Sequence, residues 1–149
     1  MPVPNGQNPT LDSINLTGTG TGTSALRTAK AIYNFAIDGG AISTITPNGT
    51  VALPANAIIV AATVNSTTAV TSAGAATVSI GTSAGSSATS ILAATAKTSL
   101  SANALINGVP VFATPVKMTA TGNITFTVAT AALTAGVIEA TVYYTVAAS

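Results

Sequence analysis

Cysteine, histidine and tryptophan are absent from this 149-residue sequence, and only seven residues carry a charge. Zinc and haem sites take their ligands from Cys or His, and thiol or Ser-His-Asp catalysis requires the same residues. The four Lys and Arg residues are scattered along the chain and do not form the basic face that binds nucleic acid. We therefore expect no metal, no cofactor and no nucleic-acid partner.

Long apolar runs are also missing, since no stretch of about 20 apolar residues occurs that could span a membrane. The first six residues, Met1–Gly6, contain neither a basic segment nor an apolar one. A secretory leader would contain both. We expect a protein that is made in a cytoplasm and has no membrane partner.

Small residues dominate what is present. The sequence has 30 Ala, 27 Thr, 13 Ser and 13 Gly, and 48% of its residues are hydrophobic. Charged residues make up 5%, against about 25% in ordinary globular proteins. The hydrophobic content is enough for a folded core, whereas a surface of Thr, Ser and Ala has little charge to keep molecules apart. This composition favours a structural or surface role within an assembly.

Residues 1–28 differ from the remainder in composition. They contain three prolines and an alternating Gly-Thr tract, residues 18–23, which has few side chains to pack. Fixing such a chain costs roughly 1–2 kcal/mol per residue in backbone entropy. We interpret this segment as an extended N-terminal arm that orders against a partner. Its spaced apolar residues are the candidate partner contacts: Leu11, Ile14, Leu16 and Leu26.

From residue 29 onward the apolar pattern has a period of two, which is typical of half-buried strands. Strands are predicted over 29–38, 41–46, 57–65, 76–80, 123–129 and 137–146, with a proline-broken edge segment at 109–119. In 57–65 the pattern places Ile58, Val60, Ala62 and Val64 inward. The stretch 83–107 is ambiguous between a short strand and a single helical turn. Short strands separated by frequent turns predict an all-β fold over 29–149, an antiparallel β-sandwich that is jelly-roll-like, with a plainer Greek-key sandwich as the alternative.

Few residues are candidates for chemistry. Asp12, Asp38 and Glu139 are far apart in sequence, and Asp38 precedes a Gly-Gly turn where Asp is common. Tyr33 falls on the apolar face of its strand and Tyr143 on the polar face, which makes Tyr143 the one plausible recognition residue. We assign no catalytic, cofactor-binding or metal residue, and we expect no enzyme activity.

Four segments of the sequence carry a resemblance to a known family: residues 31–38, 53–59, 116–120 and 123–144. Together they resemble the small Ala/Thr-rich capsid decoration, or cement, proteins of tailed bacteriophages. The resemblance implies a viral structural protein that forms trimers and sits on the exterior of the virion. There it binds the major capsid protein and stabilises the head by bridging capsomers. It also implies a terminal arm that reaches a neighbour.

Two other functions remain open from the sequence. A phage head-fibre or tail appendage protein would need an exposed receptor site, and Tyr143 is the only hint of one. A bacterial surface-layer-like module would fit the same composition.

Overall fold

The computed structural model describes residues 25–147, and nine strands account for most of them. The strands are β1 (Arg27–Asn34), β2 (Ser43–Ile45), β3 (Ala57–Ser72), β4 (Thr77–Thr82), β5 (Leu92–Ala96), β6 (Ala104–Asn107), β7 (Val116–Lys117), β8 (Ile124–Ala129) and β9 (Leu133–Val146). A short helix, α1 (Phe35–Asp38), follows β1, and a 3-10 helix spans Lys97–Ser99.

The strands form two antiparallel sheets. Sheet A has the order β1-β9-β3-β6, with β7 also paired to β3, and sheet B has the order β2-β8-β4-β5. Setting aside the two-residue β7, the eight remaining strands have the double Greek-key order of a jelly roll, in which consecutive strands change sheets except for the hairpin of β4 and β5. The predicted all-β, jelly-roll-like sandwich is confirmed.

The core lies between the sheets and is also filled from the connections. Met118 and Leu53 are fully buried although neither lies in a strand. Leu53 exchanges backbone hydrogen bonds with Gly122 at 2.8 and 3.0 Å, which fixes the crossover from β2 to β3. The largest fully buried side chains are Tyr33, Leu53, Ile59, Val64, Val78, Ile80, Ile91, Leu100, Met118, Ile124, Phe126 and Ile138.

The prediction of which β3 side chains face the core is partly wrong. Ala57 and Ile59 are buried, whereas Ile58 and Val60 are only half-buried. A register shift against β9 between Ile59 and Ala61 adds one residue to β3. Such a bulge reverses the alternation, so Ala62 and Val64 face the core as predicted while Ile58 and Val60 do not.

The first strand is shorter than predicted because Asn34 begins a helix. The Asn34 side-chain oxygen accepts the Ala36 N–H at 3.0 Å, a standard N-cap contact. The Asp38 carboxylate accepts the Asn34 N–H at 2.8 Å from the other end of the turn. As a result α1 replaces the end of the predicted strand, and Ile37 is 67% exposed instead of facing inward.

The ambiguous stretch 83–107 contains β5, the 3-10 helix and β6, so it holds both a short strand and a single helical turn. Within residues 25–147, no helix has the length and apolar character needed to cross a membrane.

Candidate assembly interface

The carboxylates of the described chain each have a local structural partner. Glu139 forms an ion pair with Lys30 at 2.9 Å on the outer face of sheet A. Asp38 caps the turn described above, and Asp12 lies outside the described residues. No group of three or more possible metal-ligating acids, His or Cys occurs within residues 25–147.

The tyrosines divide as the strand pattern predicts. Tyr33 is buried, stacks on Phe126 with ring centroids 5.7 Å apart, and donates its hydroxyl to the Gly39 carbonyl at 2.6 Å. Burial, with a smaller contribution from the Asp38 carboxylate, raises the pKa of Tyr33 to about 12. Tyr143 is half-buried on the outer face, in register with Thr28 on one side and Ala61 on the other.

Of the four candidate arm residues, the structure describes only Leu26, which is 58% exposed just before β1. Leu11, Ile14, Leu16 and the Gly-Thr tract lie outside the described residues. Since β1 begins at Arg27, the strand includes the last two residues of the segment that the sequence assigns to the arm.

Exposed apolar side chains gather along the β1 edge of the sandwich. We call this group the β1-edge cluster, and its members are Leu26, Ile32, Ile37 and Ile42. Ile32 points out of sheet A because its neighbours in β1, Ala31 and Tyr33, point into the core. Ile37 and Ile42 follow in α1 and in the connection to β2, the edge strand of sheet B.

A second group lies at the opposite edge of sheet A. We call it the β6–β7 cluster, and its members are Leu105, Val109, Val111 and Phe112. Phe112 is 78% exposed, the highest value for any large apolar side chain in the described chain. It lies in a turn closed by a hydrogen bond from the Thr114 N–H to the Val111 carbonyl at 2.9 Å.

The β6–β7 cluster is held firmly despite its exposure. The Gly108 N–H donates to the Ala62 carbonyl in sheet A, and the Val109 N–H donates to the Ile91 carbonyl beside sheet B, both at 2.8 Å. Prolines flank the turn, and Pro110 is buried. An aromatic side chain on such a preorganised turn loses little entropy when it binds.

Sequence reasoning missed this second group. It correctly predicted a proline-broken edge over 109–119 but did not assign partner contacts there. The available signal was an apolar tripeptide, residues 111–113, between two prolines. Because proline is excluded from central strands, apolar residues between two prolines have no sheet in which to bury themselves.

No known family model matches this sequence, and no curated protein is similar to it in sequence.

The fold itself has close counterparts among solved structures. A chain of the cyanophage Pam1 capsid asymmetric unit matches with a TM-score of 0.61 and 21% identity, over 87% of this chain and 90% of that one. A chain of the acidic stable capsid of Helicobacter pylori bacteriophage KHP30 matches with a TM-score of 0.58 and 16% identity, over 83% and 89%. A chain of the Ralstonia phage GP4 capsid matches with a TM-score of 0.54 and 17% identity, over 83% and 86%. The chain therefore shares its jelly-roll fold, over most of its length, with chains found in three bacteriophage capsids.

Proposed function

We propose that the protein is a structural component of a bacteriophage virion, a decoration or cement protein that binds the capsid exterior. It acts as a homotrimer, contacts the major capsid protein and bridges capsomers. The observation that carries the proposal is a fold shared with chains of three phage capsids, in a chain that exposes large apolar side chains at both edges of the sandwich.

The physical character of the surface supports this role. Apolar contacts do not weaken as salt increases, whereas exposed ion pairs do. A shell presents many equivalent sites, so contacts of the usual size, about 800 Å² per partner, become strong together when one oligomer binds several of them. Hydrogen-bonded crossovers close the core of the sandwich and make it a rigid body. A rigid body that contacts several capsid subunits resists expansion of the shell.

In this proposal the N-terminal residues add a further contact. Leu26 is exposed at the point where the chain enters β1. We propose that residues 1–24, with Leu11, Ile14 and Leu16, continue from there onto a neighbouring subunit. A segment that orders on binding can wrap a large surface at the expense of its entropy.

The test is a binding experiment with capsid shells of the encoding phage that were assembled without this chain. Saturable binding is expected, together with a higher temperature of shell disruption for decorated shells. A chain lacking residues 1–24 serves as the variant, because this deletion leaves all of β1 in place. It should keep the unfolding temperature of the full chain and bind shells more weakly.

Absence of binding to such shells would contradict the proposal. Binding to host cells or glycans, abolished by Tyr143→Ala, would instead indicate a receptor-binding appendage.

A further inference from the structure

The exposed apolar surface of the sandwich is divided between two edges. Nine large apolar side chains are exposed in the described residues. Four belong to the β1-edge cluster, four belong to the β6–β7 cluster, and the ninth, Val51, belongs to neither. Because β1 and β6 are the two outer strands of sheet A, the clusters lie at opposite edges of the sandwich.

This division distinguishes two ways in which identical chains associate. A two-fold contact uses the same patch on both copies and needs one cluster only. A head-to-tail contact uses two different patches, and it closes into a ring when the rotation between copies allows. Two clusters of four residues on opposite edges provide what the second arrangement needs.

The charged residues limit which contacts the β6–β7 cluster can make. Lys117 on β7 is the only ionisable residue between residues 98 and 138, so a β6–β7 cluster facing itself would bring two Lys117 side chains together. The β1 edge carries Asp38 and Glu139 with Arg27 and Lys30, and its formal charges cancel. The β1-edge cluster is therefore the partner that opposes no like charge to the β6–β7 cluster.

We infer that copies of the chain associate head to tail, with the β6–β7 cluster of one copy seated against the β1-edge cluster of the next. This deepens the self-association in the proposed function, on which it rests, and identifies the surfaces that close the trimer. Phe112 is the central anchor, because an aromatic side chain on a rigid turn has the properties of an interface hot spot.

The experiment uses the full chain and compares three variants by sedimentation. The first, Leu105→Thr with Phe112→Ser, makes the two most exposed members of the β6–β7 cluster polar. The second, Ile32→Thr with Ile37→Ser, makes two of the four members of the β1-edge cluster polar. The third, Val51→Ser, is the matched control, since Val51 is 60% exposed but lies in neither cluster. Thermal unfolding of each variant verifies that it is folded, and Phe112→Lys replaces the first variant if that one is not.

The wild type and Val51→Ser are expected to sediment at three times the 14.3 kDa chain mass. Each cluster variant alone is expected to be monomeric. An equal mixture of the two cluster variants should form a dimer and nothing larger, because each variant retains one cluster and together they make one intact contact.

Three results would overturn the inference. They are a trimeric first variant, a second variant that associates like the wild type, or a mixture that stays monomeric. The outcome is separable from that of the proposed function. A trimer that binds shells and persists in both cluster variants defeats only the inference, whereas a head-to-tail trimer that binds no shell defeats only the proposed function.

Discussion

Ile32 and Leu105 lie at opposite ends of one cross-strand row on the outer face of sheet A. Ile32 is in register with Glu139, Glu139 with Asn65, and Asn65 with Leu105. Strands in a sheet are about 4.8 Å apart, so the row is about 14 Å wide. Its ends are apolar and exposed while its centre holds a carboxylate and an amide. Sheet A is thus better suited to side-by-side contact through its edges than to stacking through its face.

The hydroxyl of Thr125 is buried without a hydrogen-bond partner in the protein. Thr125 is paired with Gly81 on the neighbouring strand. The backbone of Ser87 and Ala88 passes so close to Gly81 that a Cβ atom at position 81 would not fit. Replacing an unpartnered buried hydroxyl by a methyl group of the same shape removes its desolvation cost. Thr125→Val should raise the free energy of unfolding by about 1 kcal/mol in urea titrations.

Thr127→Val is the matched control for that variant. Thr127 lies on the same strand and face, but its hydroxyl is bonded to that of Thr44 at 2.9 Å. The control should be neutral or less stable than the wild type. A loss of stability in Thr125→Val would show that its hydroxyl is satisfied, for example by a bound water molecule.

Thr130 adopts a backbone conformation that β-branched residues avoid. Its φ is 71°, and the Ala131 N–H donates to the Ala129 carbonyl at 2.8 Å across it, closing a three-residue turn. A turn of this kind is rare and strained. Thr130→Gly should stabilise the protein by about 1 kcal/mol, since glycine accepts a positive φ without steric cost. Calorimetry should show a rise in melting temperature of a few degrees.

Thr130→Ala tests the cause of that gain. Alanine keeps the Cβ that makes a positive φ unfavourable, so this variant should gain much less than Thr130→Gly. Equal gains in the two variants would assign the strain to the branched side chain rather than to the backbone.

The strand pattern predicted most of the fold, because alternation is a local property. Of the five residues that the pattern places inward in β9, Ile138, Ala140, Val142 and Tyr144 are buried and Val146 is half-buried. The pattern failed at Val60, where pairing with the distant β9 introduces an extra residue. It also failed at Asn34, whose side chain competes successfully with the strand for the backbone.

Of the eight residues in the two clusters, only Leu26 was predicted from the sequence as a partner contact, and it is exposed. Phe112 was not predicted: its position between Pro110 and Pro115 indicated that no central strand would contain it, but not whether another element would cover it. Only the placement of β6 and β7 on the free edge of β3 leaves it in solvent.

The buried hydroxyl of Tyr33 makes the folded protein less stable at high pH. Its pKa is about 12 in the folded protein, against 10.0 when unperturbed. Between these values the unfolded chain loses its proton while the folded chain keeps it, so deprotonation favours unfolding. The contribution is complete below pH 10 and is lost as pH rises toward 12. Urea titrations across this range should show the decline.

Tyr33→Phe tests whether the Tyr33 hydroxyl causes this loss of stability at high pH. It removes the hydrogen bond to Gly39, so it should cost about 1 kcal/mol near neutral pH. It should also flatten the decline in stability above pH 10. An unchanged decline in this variant would place its origin elsewhere.

The asparagines of two Asn-Gly pairs in the described chain should deamidate at different rates. Asn48 is exposed in a turn closed by the Thr50 N–H and the Pro47 carbonyl, and the Gly49 N–H has no acceptor in the described residues. That nitrogen is free to attack the Asn48 side-chain carbonyl, releasing ammonia and forming a succinimide that water opens to aspartate or isoaspartate. The Gly108 N–H is instead bonded to the Ala62 carbonyl at 2.8 Å, with Asn107 fixed in β6.

Peptide mapping after storage at mildly alkaline pH should find deamidation at Asn48 well before Asn107. Unfolding the chain in urea should bring the two rates together, because only the fold distinguishes these sites, and equal rates in the folded protein would contradict this assignment.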